Sequence, residues 1–325
     1  MENYWYPIAL AKELKKAPKC YYLLNQKIVV YRSPHGIVAQ KDSCPHRKFP
    51  LSAGKIVNGR LQCGYHGWEF DDKGFLTEVP GMGTQLNSKC SMLNTYSAQE
   101  YEDLIWVCLE ENVAFKPYQK DLLKDRKLYS FKTTIIGDTA DILENFLDPL
   151  HTAFLHDGII RSKGKRNLTH AEIRAIPHGV EAKYTEESNQ TGLIGNLFGR
   201  NITHSFGRLT KGNIIDLEFH SKNGIDMTNR FIIVPTQGDE NLFFSQITFR
   251  KTFLPIWFKY AVVSPFFYIA LQQDKKGIKQ QLDNKHHFKE DKLRSTYLDI
   301  MKPYIDRMLN QEELKVIEKD IEMHL

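Results

Sequence analysis

Two short stretches of the sequence pair a cysteine with a histidine. Cys44 and His46 have one residue between them, and Cys63 and His66 have two. Thiolates and imidazoles are the ligands that zinc ions and iron–sulfur clusters take from proteins. The four side chains therefore indicate one site with two sulfur and two nitrogen ligands, which suits either a tetrahedral zinc ion or a [2Fe–2S] cluster.

The spacing favours the cluster over the zinc ion. Zinc fingers pair Cys with Cys and His with His, whereas here each loop supplies one of each. Two such loops facing each other give two cysteines to one iron and two histidines to the other, the ligand set of a Rieske [2Fe–2S] cluster. Pro45, Gly64 and Gly67 are typical of tight loops whose backbone N–H groups can point at sulfur. A structural zinc site remains the alternative.

A second group of possible metal ligands follows further along the chain. The pattern predicts a helix over residues 141–156, and this stretch contains Asp148, His151 and His156. The two imidazoles converge if that helix distorts or ends between them. Two histidines and one carboxylate on one face of an octahedron form the ligand set of non-haem Fe(II) oxygenases, because three positions stay open for O₂ and substrate. Taken alone, the pair is better explained by two histidines on the surface or in the core of the helix.

Together the two motifs resemble those of the Rieske non-haem iron oxygenases, in their large subunit. The paired C-x-H and C-x-x-H, the sequence GYHGW over residues 64–68 and the motif D-x-x-H-x-x-x-x-H over residues 148–156 occur in the order typical of that family. The resemblance extends over the whole chain. It implies cluster ligands Cys44, His46, Cys63 and His66, mononuclear iron ligands His151 and His156, and Asp148 as a carboxylate that bridges to the cluster of a neighbouring subunit.

The third iron ligand must be a carboxylate far along the chain. Asp274 follows an apolar segment near the start of a predicted helix, and it resembles the C-terminal Asp of the family. Asp283 and Asp291 are competitors on more polar stretches. Asn145 lies three residues before Asp148, the spacing of the single-component demethylases and monooxygenases, so monooxygenation is favoured.

The resemblance implies a terminal oxygenase that uses O₂ as co-substrate. A ferredoxin or flavin reductase, with NAD(P)H as the indirect source, would deliver electrons through the Rieske cluster to a mononuclear Fe(II). The expected substrate is a hydrophobic aromatic, sterol-like or other ring compound, oxidised by hydroxylation or demethylation, and the expected assembly is a homotrimer. The alternatives are a cis-dihydroxylating dioxygenase, a Rieske electron-transfer protein without catalytic iron, and a zinc-stabilised ligand-binding domain.

The predicted fold class is α+β in two domains. Residues 1–115 form a small all-β Rieske domain of short hairpins, and residues 116–325 form a catalytic domain with a large antiparallel sheet flanked by helices, of the helix-grip type. Alternation over residues 169–250 predicts the sheet. The C-terminal part is predicted to be helical over Tyr268–Phe288, Leu293–Leu309 and Glu312–Met323.

Composition excludes several classes of protein. The chain has 325 residues, 42% hydrophobic and 26% charged, which is typical of a globular protein. A net charge of +5, spread along the chain, does not indicate nucleic-acid binding. We see no signal peptide and expect free thiols and a cytoplasmic location.

The apolar segment 253–271 is interrupted by Pro255, Lys259 and Pro265 and is predicted to be buried or to line a pocket; contact with a membrane is the weaker alternative. Residues 192–206 are predicted to border a hydrophobic cavity.

Overall fold

The computed structural model describes residues 4–82, 93–115, 129–164, 166–186, 202–252, 255–315 and 318–325. The chain divides into two units. One consists of residues 1–117 with 234–238, and the other of residues 118–233 with 239–325. The domain boundary expected between residues 115 and 116 lies where a described range ends, and it stays a prediction.

Short antiparallel strands build the first unit. Those in its described residues are β1 (Tyr6–Leu10), β2 (Lys19–Leu23), β3 (Gln26–Ser33), β4 (Gly36–Lys41), β5 (Lys55–Val57), β6 (Arg60–Gln62), β7 (Glu69–Phe70), β8 (Leu76–Glu78), β9 (Thr95–Tyr101) and β10 (Leu104–Cys108). One sheet has the order β1-β10-β9-β4-β3-β2 and the other the order β5-β6-β7-β8. Short 3₁₀ helices occupy Ala11–Glu13 and Leu51–Ala53.

The loops with the Cys-His pairs leave the sheets at two places. The first loop follows β4 and the second joins β6 to β7. Both cysteines belong to the same buried apolar cluster as Leu51, Leu61 and Phe70. Packing of this cluster therefore holds the two loops against each other.

A large sheet forms the second unit. Its strands are β11 (Tyr129–Ile136), β12 (Leu168–Ile176), β13 (Gly179–Glu186), β14 (Ile202–Thr210), β15 (Ile214–Ser221), β16 (Gly224–Pro235), β17 (Glu240–Phe249) and β18 (Lys319–His324). Over the described residues the order is β11-β17-β16-β15-β14-β13-β12-β18. The pairs β11–β17, β12–β13, β12–β18, β13–β14, β14–β15 and β15–β16 are antiparallel.

Three helices accompany the sheet in the described residues. They are α1 (Thr139–Leu147), α2 (Ile256–His287) and α3 (Lys302–Leu309), and a 3₁₀ helix occupies Leu150–Ala153. Residues from α1, α2 and α3 share one buried core with the sheet. The chain approaches α2 so closely at Gly137 that an added Cβ would lie 2.2 Å from Ile278 Cγ2. Glycine is thus required where α1 begins against α2.

The predicted continuous helix over residues 141–156 is wrong. Helix α1 ends at Leu147, and Asp148 is extended with φ −82° and ψ 116°. The cause is Pro149, because the residue before a proline is pushed out of the helical region. The chain therefore turns between Asn145 and the two histidines.

The predicted C-terminal helices are also corrected. Helix α2 begins at Ile256 instead of Tyr268 and continues through Pro265, which costs one backbone hydrogen bond inside the helix. Of the helix expected over Leu293–Leu309, only α3 forms, and Pro303 lies in its first turn, where its missing N–H removes no hydrogen bond of the helix.

The helix expected over Glu312–Met323 is wrong as well. Residues Lys319–His324 form strand β18, which pairs with the edge of the sheet at β12. Met323 is buried and Ile321 partly buried, while Asp320 and Glu322 are exposed. This alternation of two residues is the pattern of a strand with one buried face.

The segment 253–271 is mostly part of α2. Tyr260 and Val263 are buried, whereas Trp257 and Tyr268 are exposed. Among the described residues, no helix combines the length and the apolar character needed to cross a membrane.

Candidate metal centres and active site

The two Cys-His loops have the same backbone hydrogen bonds. In each, the cysteine N–H donates to the carbonyl five residues later, and the cysteine carbonyl accepts from the N–H four residues later. The bonds are Cys44 N to Phe49 O (2.9 Å), Lys48 N to Cys44 O (2.7 Å), Cys63 N to Trp68 O (2.8 Å) and Gly67 N to Cys63 O (3.1 Å). The fourth residue after each cysteine has a positive φ, 56° at Lys48 and 73° at Gly67. The loops are thus two copies of one turn.

The two thiols are buried beside each other. Cys44 is 2% and Cys63 3% exposed, and their side chains lie within hydrogen-bonding distance. Burial raises the pKa of the Cys44 thiol, while the backbone N–H groups of His46 and Arg47 point at its sulfur and act against this rise in pKa. N–H groups directed at sulfur stabilise a thiolate, the form that binds metal.

The two histidines lie at the surface. The ring centroids of His46 and His66 are 4.6 Å apart, and Trp68 stacks on His46 at 4.8 Å with an interplanar angle of 4°. Tyr65, which is 60% exposed, lies 3.9 Å from the His66 ring. Two buried sulfurs and two adjacent surface imidazoles suit a Rieske [2Fe–2S] cluster, with one iron on the cysteine side and the other on the histidine side.

The second group of ligands converges around Asp274. His151, His156 and Asp274 each offer a ligand atom, and these atoms lie within 4.8 Å of one another. Asp274 Oδ1 is 2.9 Å from His156 Nε2 and 3.6 Å from His151 Nε2. Asp283 lies elsewhere, exposed and paired with Lys279, and Asp291 is exposed.

Neighbouring groups fix which nitrogen of each ring faces the site. His151 Nδ1 lies 2.7 Å from the Asp148 carbonyl oxygen, and His156 Nδ1 lies 2.8 Å from Gln273 Oε1. Both partners are acceptors, so each Nδ1 donates its proton to them and each Nε2 is the nitrogen that faces Asp274. Sequence reasoning missed Gln273; its only signal was a place next to Asp274.

Asn145 reaches the same carboxylate. Its Nδ2 donates to Asp274 Oδ1 at 2.9 Å, although the two residues are 129 positions apart. Asp274 is 5% exposed. A buried carboxylate oxygen is thereby held toward the two imidazoles, so Asn145 orients Asp274.

The protonation of the site reflects its burial and charge. Burial lowers the pKa of His151, against the opposing charges of Asp274 and Asp148. Burial also acts to lower the pKa of His156, but the hydrogen bond and charge of Asp274 outweigh it and the pKa is raised. A divalent cation would take the place of the proton shared by His156 and Asp274, because metal binding to such ligands releases protons. The donor set therefore fits a ferrous ion.

Asp148 lies at the end of α1 with a partly exposed side chain. Its carboxylate accepts from Leu150 N at 2.8 Å and from His151 N at 3.3 Å, and so caps the 3₁₀ helix that contains His151. Burial raises the pKa of Asp148, and the backbone N–H of Leu150 opposes that rise. The side chain is 33% exposed, so one side of it faces outward.

A cavity of about 650 Å³ opens beside this site. Its wall next to the site is aromatic: Phe146 packs on Phe231 at 4.9 Å and on Phe243 at 4.8 Å. Asp148, His151, His156 and Asp274 also line the cavity. A largely apolar cavity with a few polar groups is typical of a small-molecule site.

The residues 192–206 that were expected at a cavity lie partly outside the described residues. In the described part, Ile202, Ser205 and Phe206 line the cavity. The glycine-rich stretch 192–200 lies outside the described residues. His204 and His220 stack on each other at 4.7 Å, and His220 contacts Glu218.

Comparison with known proteins adds independent information. The Rieske [2Fe-2S] domain family matches residues 4–97. The chain is 26% identical over 275 residues to the chloroplastic protein TIC 55 of Arabidopsis thaliana, covering 78% of this chain and 49% of that protein. It is 40% identical over 108 residues to the oxygenase component of dicamba O-demethylase of Stenotrophomonas maltophilia, covering 33% of this chain and 32% of that protein. The chain spans half or less of the length of the first curated relatives it matches.

Among solved structures, dicamba monooxygenase bound to 3,6-dichlorosalicylic acid superposes with a TM-score of 0.81. The match has 20% sequence identity and covers 95% of this chain and 96% of that chain. At this identity the likeness shows a shared fold. The predicted fold class, a small β domain followed by a domain with a large antiparallel sheet, is confirmed.

Proposed function

We propose that this chain, which contains a Rieske [2Fe–2S] domain and is homologous to the alpha subunits of Rieske oxygenases, is a terminal oxygenase component. The convergence of His151, His156 and Asp274 on one point at the edge of an apolar cavity carries the proposal. An electron carrier has no use for such a set of ligands beside a cavity. The motifs of the sequence and the geometry of these ligands therefore support the same class of protein.

The residues of the chain form two separate sites, one proposed for the cluster and one for the mononuclear iron. Bound to them, a [2Fe–2S] cluster would supply single electrons, and a ferrous ion would supply the activation of O₂. Cys44, Cys63, His46 and His66 are proposed to hold the cluster. His151 and His156 would hold the iron through Nε2, with Asp274 as the third ligand.

Two further residues keep the iron ligands in place. Asn145 holds the Asp274 carboxylate by its 2.9 Å hydrogen bond, and Gln273 holds the His156 ring at 2.8 Å. Partners of this kind change metal affinity when removed, since they set the orientation of the ligand. The aromatic wall formed by Phe146, Phe231 and Phe243 excludes water and positions an apolar substrate next to the ligands.

Asp148 is proposed to bridge to the cluster of a neighbouring subunit in a homotrimer. Its carbonyl holds His151, and its carboxylate is partly exposed, which supports this role. In Asp148→Asn the amide oxygen can still accept from Leu150 N, so the local turn is retained. We expect turnover to fall at least tenfold with an unchanged visible spectrum of the cluster. Normal turnover in the variant would exclude the bridging role.

The proposed reaction is a monooxygenation, by hydroxylation or oxidative demethylation, of a hydrophobic ring compound. The names of relatives such as dicamba O-demethylase and methylxanthine N1-demethylase support demethylation over dihydroxylation. A flavin reductase or ferredoxin, fed by NAD(P)H, is proposed as the electron donor. Cis-dihydroxylation remains the second candidate reaction.

The test is substrate-dependent use of O₂. The holoprotein, reduced chemically, is mixed with O₂ and a panel of O-methyl and N-methyl aromatic compounds, and formaldehyde and ¹⁸O-labelled products are measured. We expect product with at least one compound, and none with His156→Ala. Absence of any product from holoprotein that holds only two irons per chain would instead support a Rieske electron carrier.

A further inference from the structure

The residues that line the cavity extend along α2, from the metal ligands toward two cationic side chains. Its lining includes Lys259 and Asp274, both on α2. They are fifteen residues apart (274 − 259), which corresponds to about 22 Å along a helix. Phe267 and Ala270 line the cavity between them, so one face of α2 follows the cavity along its length.

Two strands of the sheet follow the same axis. On β17 the lining runs from Phe243, which packs on Phe146 beside Asn145, to Phe249 and Arg250, and seven residues (250 − 243) of strand span about 24 Å. On β16 it runs from Phe231 back to Asp226. The lining residues of α2, β16 and β17 therefore indicate a long cavity. Its far end is formed by Asp226, Arg250 and Lys259.

The far end has a net positive charge. Arg250 Nε pairs with Asp226 Oδ1 at 3.1 Å, and Lys259 Nζ donates to the Arg250 carbonyl at 2.6 Å. Two cations thus face one acid. An ammonium has three N–H donors and a guanidinium five, so both retain donors for a further acceptor. The pKa of Lys259 is lowered mainly by burial and next by the charge of Arg250. An anionic partner beside Lys259 would raise this pKa.

The middle of the cavity is mostly apolar. Phe267 and Ala270 line it on α2 between the charged end and the metal ligands, and the polar Asn229 and Ser245 on β16 and β17 are hydrogen-bonded to each other at 3.1 Å. A molecule that fills this space needs a polar anionic group at one end and a hydrophobic body about 20 Å long. A shorter molecule cannot contact both ends at once.

We propose that the substrate is an elongated amphiphile whose terminal carboxylate, or similar anion, is bound by Lys259 and Arg250 while its apolar far end reaches the metal ligands. The inference rests on the proposed oxygenase function and narrows its substrate from any hydrophobic ring compound to one with an elongated apolar body and a terminal anion. It also states which end of the molecule is oxidised, namely the end opposite the anion.

The test measures binding without turnover. Palmitate, its uncharged amide and the shorter octanoate serve as probes, and each is measured by equilibrium dialysis against the oxidised holoprotein below its micelle concentration. We expect one molecule of palmitate per chain. It should bind at least tenfold more tightly than palmitamide, because hydrogen bonds to charged groups are the stronger class, and at least tenfold more tightly than octanoate, because octanoate has eight fewer carbons to bury.

The decisive variant is Lys259→Met, which keeps the length of the side chain and removes its charge. We expect palmitate to bind about 10- to 100-fold more weakly, with palmitamide unchanged, and Lys259→Arg to restore binding. The matched control is Lys276→Met, an exposed lysine on the same helix, which should leave both affinities unchanged.

Equal affinity for palmitate and its amide would overturn the inference, as would equal losses for both probes in Lys259→Met. These binding results do not depend on turnover. If palmitate fails to bind but a neutral ring compound is oxidised, the substrate class is wrong and the oxygenase function stands. If palmitate binds as expected but no compound supports use of O₂, the function is wrong and the anion site stands.

Discussion

Replacing Asn145 tests whether a residue that holds Asp274 by a hydrogen bond governs the affinity of the metal site. In Asn145→Leu the side chain keeps nearly the same volume and loses the donor that lies 2.9 Å from Asp274 Oδ1. Asp274 is 5% exposed, so water cannot freely replace that donor. A hydrogen bond to a charged group contributes about 1.5–3 kcal/mol, and each 1.4 kcal/mol is a factor of ten.

We therefore expect the affinity for Fe(II) at the mononuclear site to fall about 10- to 100-fold, the range typical of residues that orient metal ligands. The assay is anaerobic competition for Fe(II) with a chelator of known affinity, using protein whose cluster is already formed. The visible spectrum of the cluster should not change.

The control is Asn284→Leu, which makes the same substitution at an exposed position of α2. It should bind Fe(II) as the unchanged protein does. An affinity within twofold of the unchanged protein in Asn145→Leu would refute the reasoning, and loss of the cluster would show a general folding defect.

Two further predictions concern stability. Burial is the main reason that the pKa of Glu144 is raised from 4.5 to about 7, with Lys302 opposing. The folded protein therefore retains a proton that the unfolded chain releases, so stability falls as pH rises from about 4.5 to about 7. In Glu144→Gln the free energy of unfolding, measured with urea, should fall less over this pH range. The same dependence on pH in the variant and the unchanged protein would contradict the prediction. Gly137→Ala places a Cβ against Ile278 and should destabilise by about 1–3 kcal/mol, whereas Gly164→Ala, with open space around it, should change the free energy of unfolding by less than about 0.5 kcal/mol. Equal unfolding midpoints in Gly137→Ala and Gly164→Ala would exclude the close packing at Gly137.

The parts of the protein that sequence reasoning predicted well depend on local pattern. The Cys-His loops are complete within residues 44–68, and each is closed by its own backbone bonds. The hairpins of the three described sheets alternate with turns whose glycine, asparagine and proline residues are visible in the sequence. For these elements the nearest neighbours in sequence are also the nearest in space.

The parts that it did not predict depend on distant contacts. His156 and Asp274 are 118 residues apart, and only the packing of α2 on the core brings them together. Sequence motifs suggested Asp274 but left Asp283 and Asp291 as competitors. Gln273 and the role of Asn145 were missed because an amide has no characteristic spacing to a partner on another helix.

The C-terminal strand was predicted to be a helix for the same physical reason, since its pairing is also a distant contact. Lys319–His324 is rich in charged residues that favour helices, and its alternation of Ile321 and Met323 is short. The free edge of β12 decides the outcome, since it supplies a ladder of hydrogen bonds that an isolated segment does not have. Tertiary pairing therefore overrides local propensity here.

The central claim is that one chain holds both a [2Fe–2S] cluster and a separate mononuclear iron. Iron and acid-labile sulfide content of the anaerobically reconstituted protein test it most directly, with His156→Ala as the comparison. We expect about three irons and two sulfides per chain, and about two irons and two sulfides in the variant with an unchanged cluster spectrum. Two irons per chain in both proteins would contradict the claim.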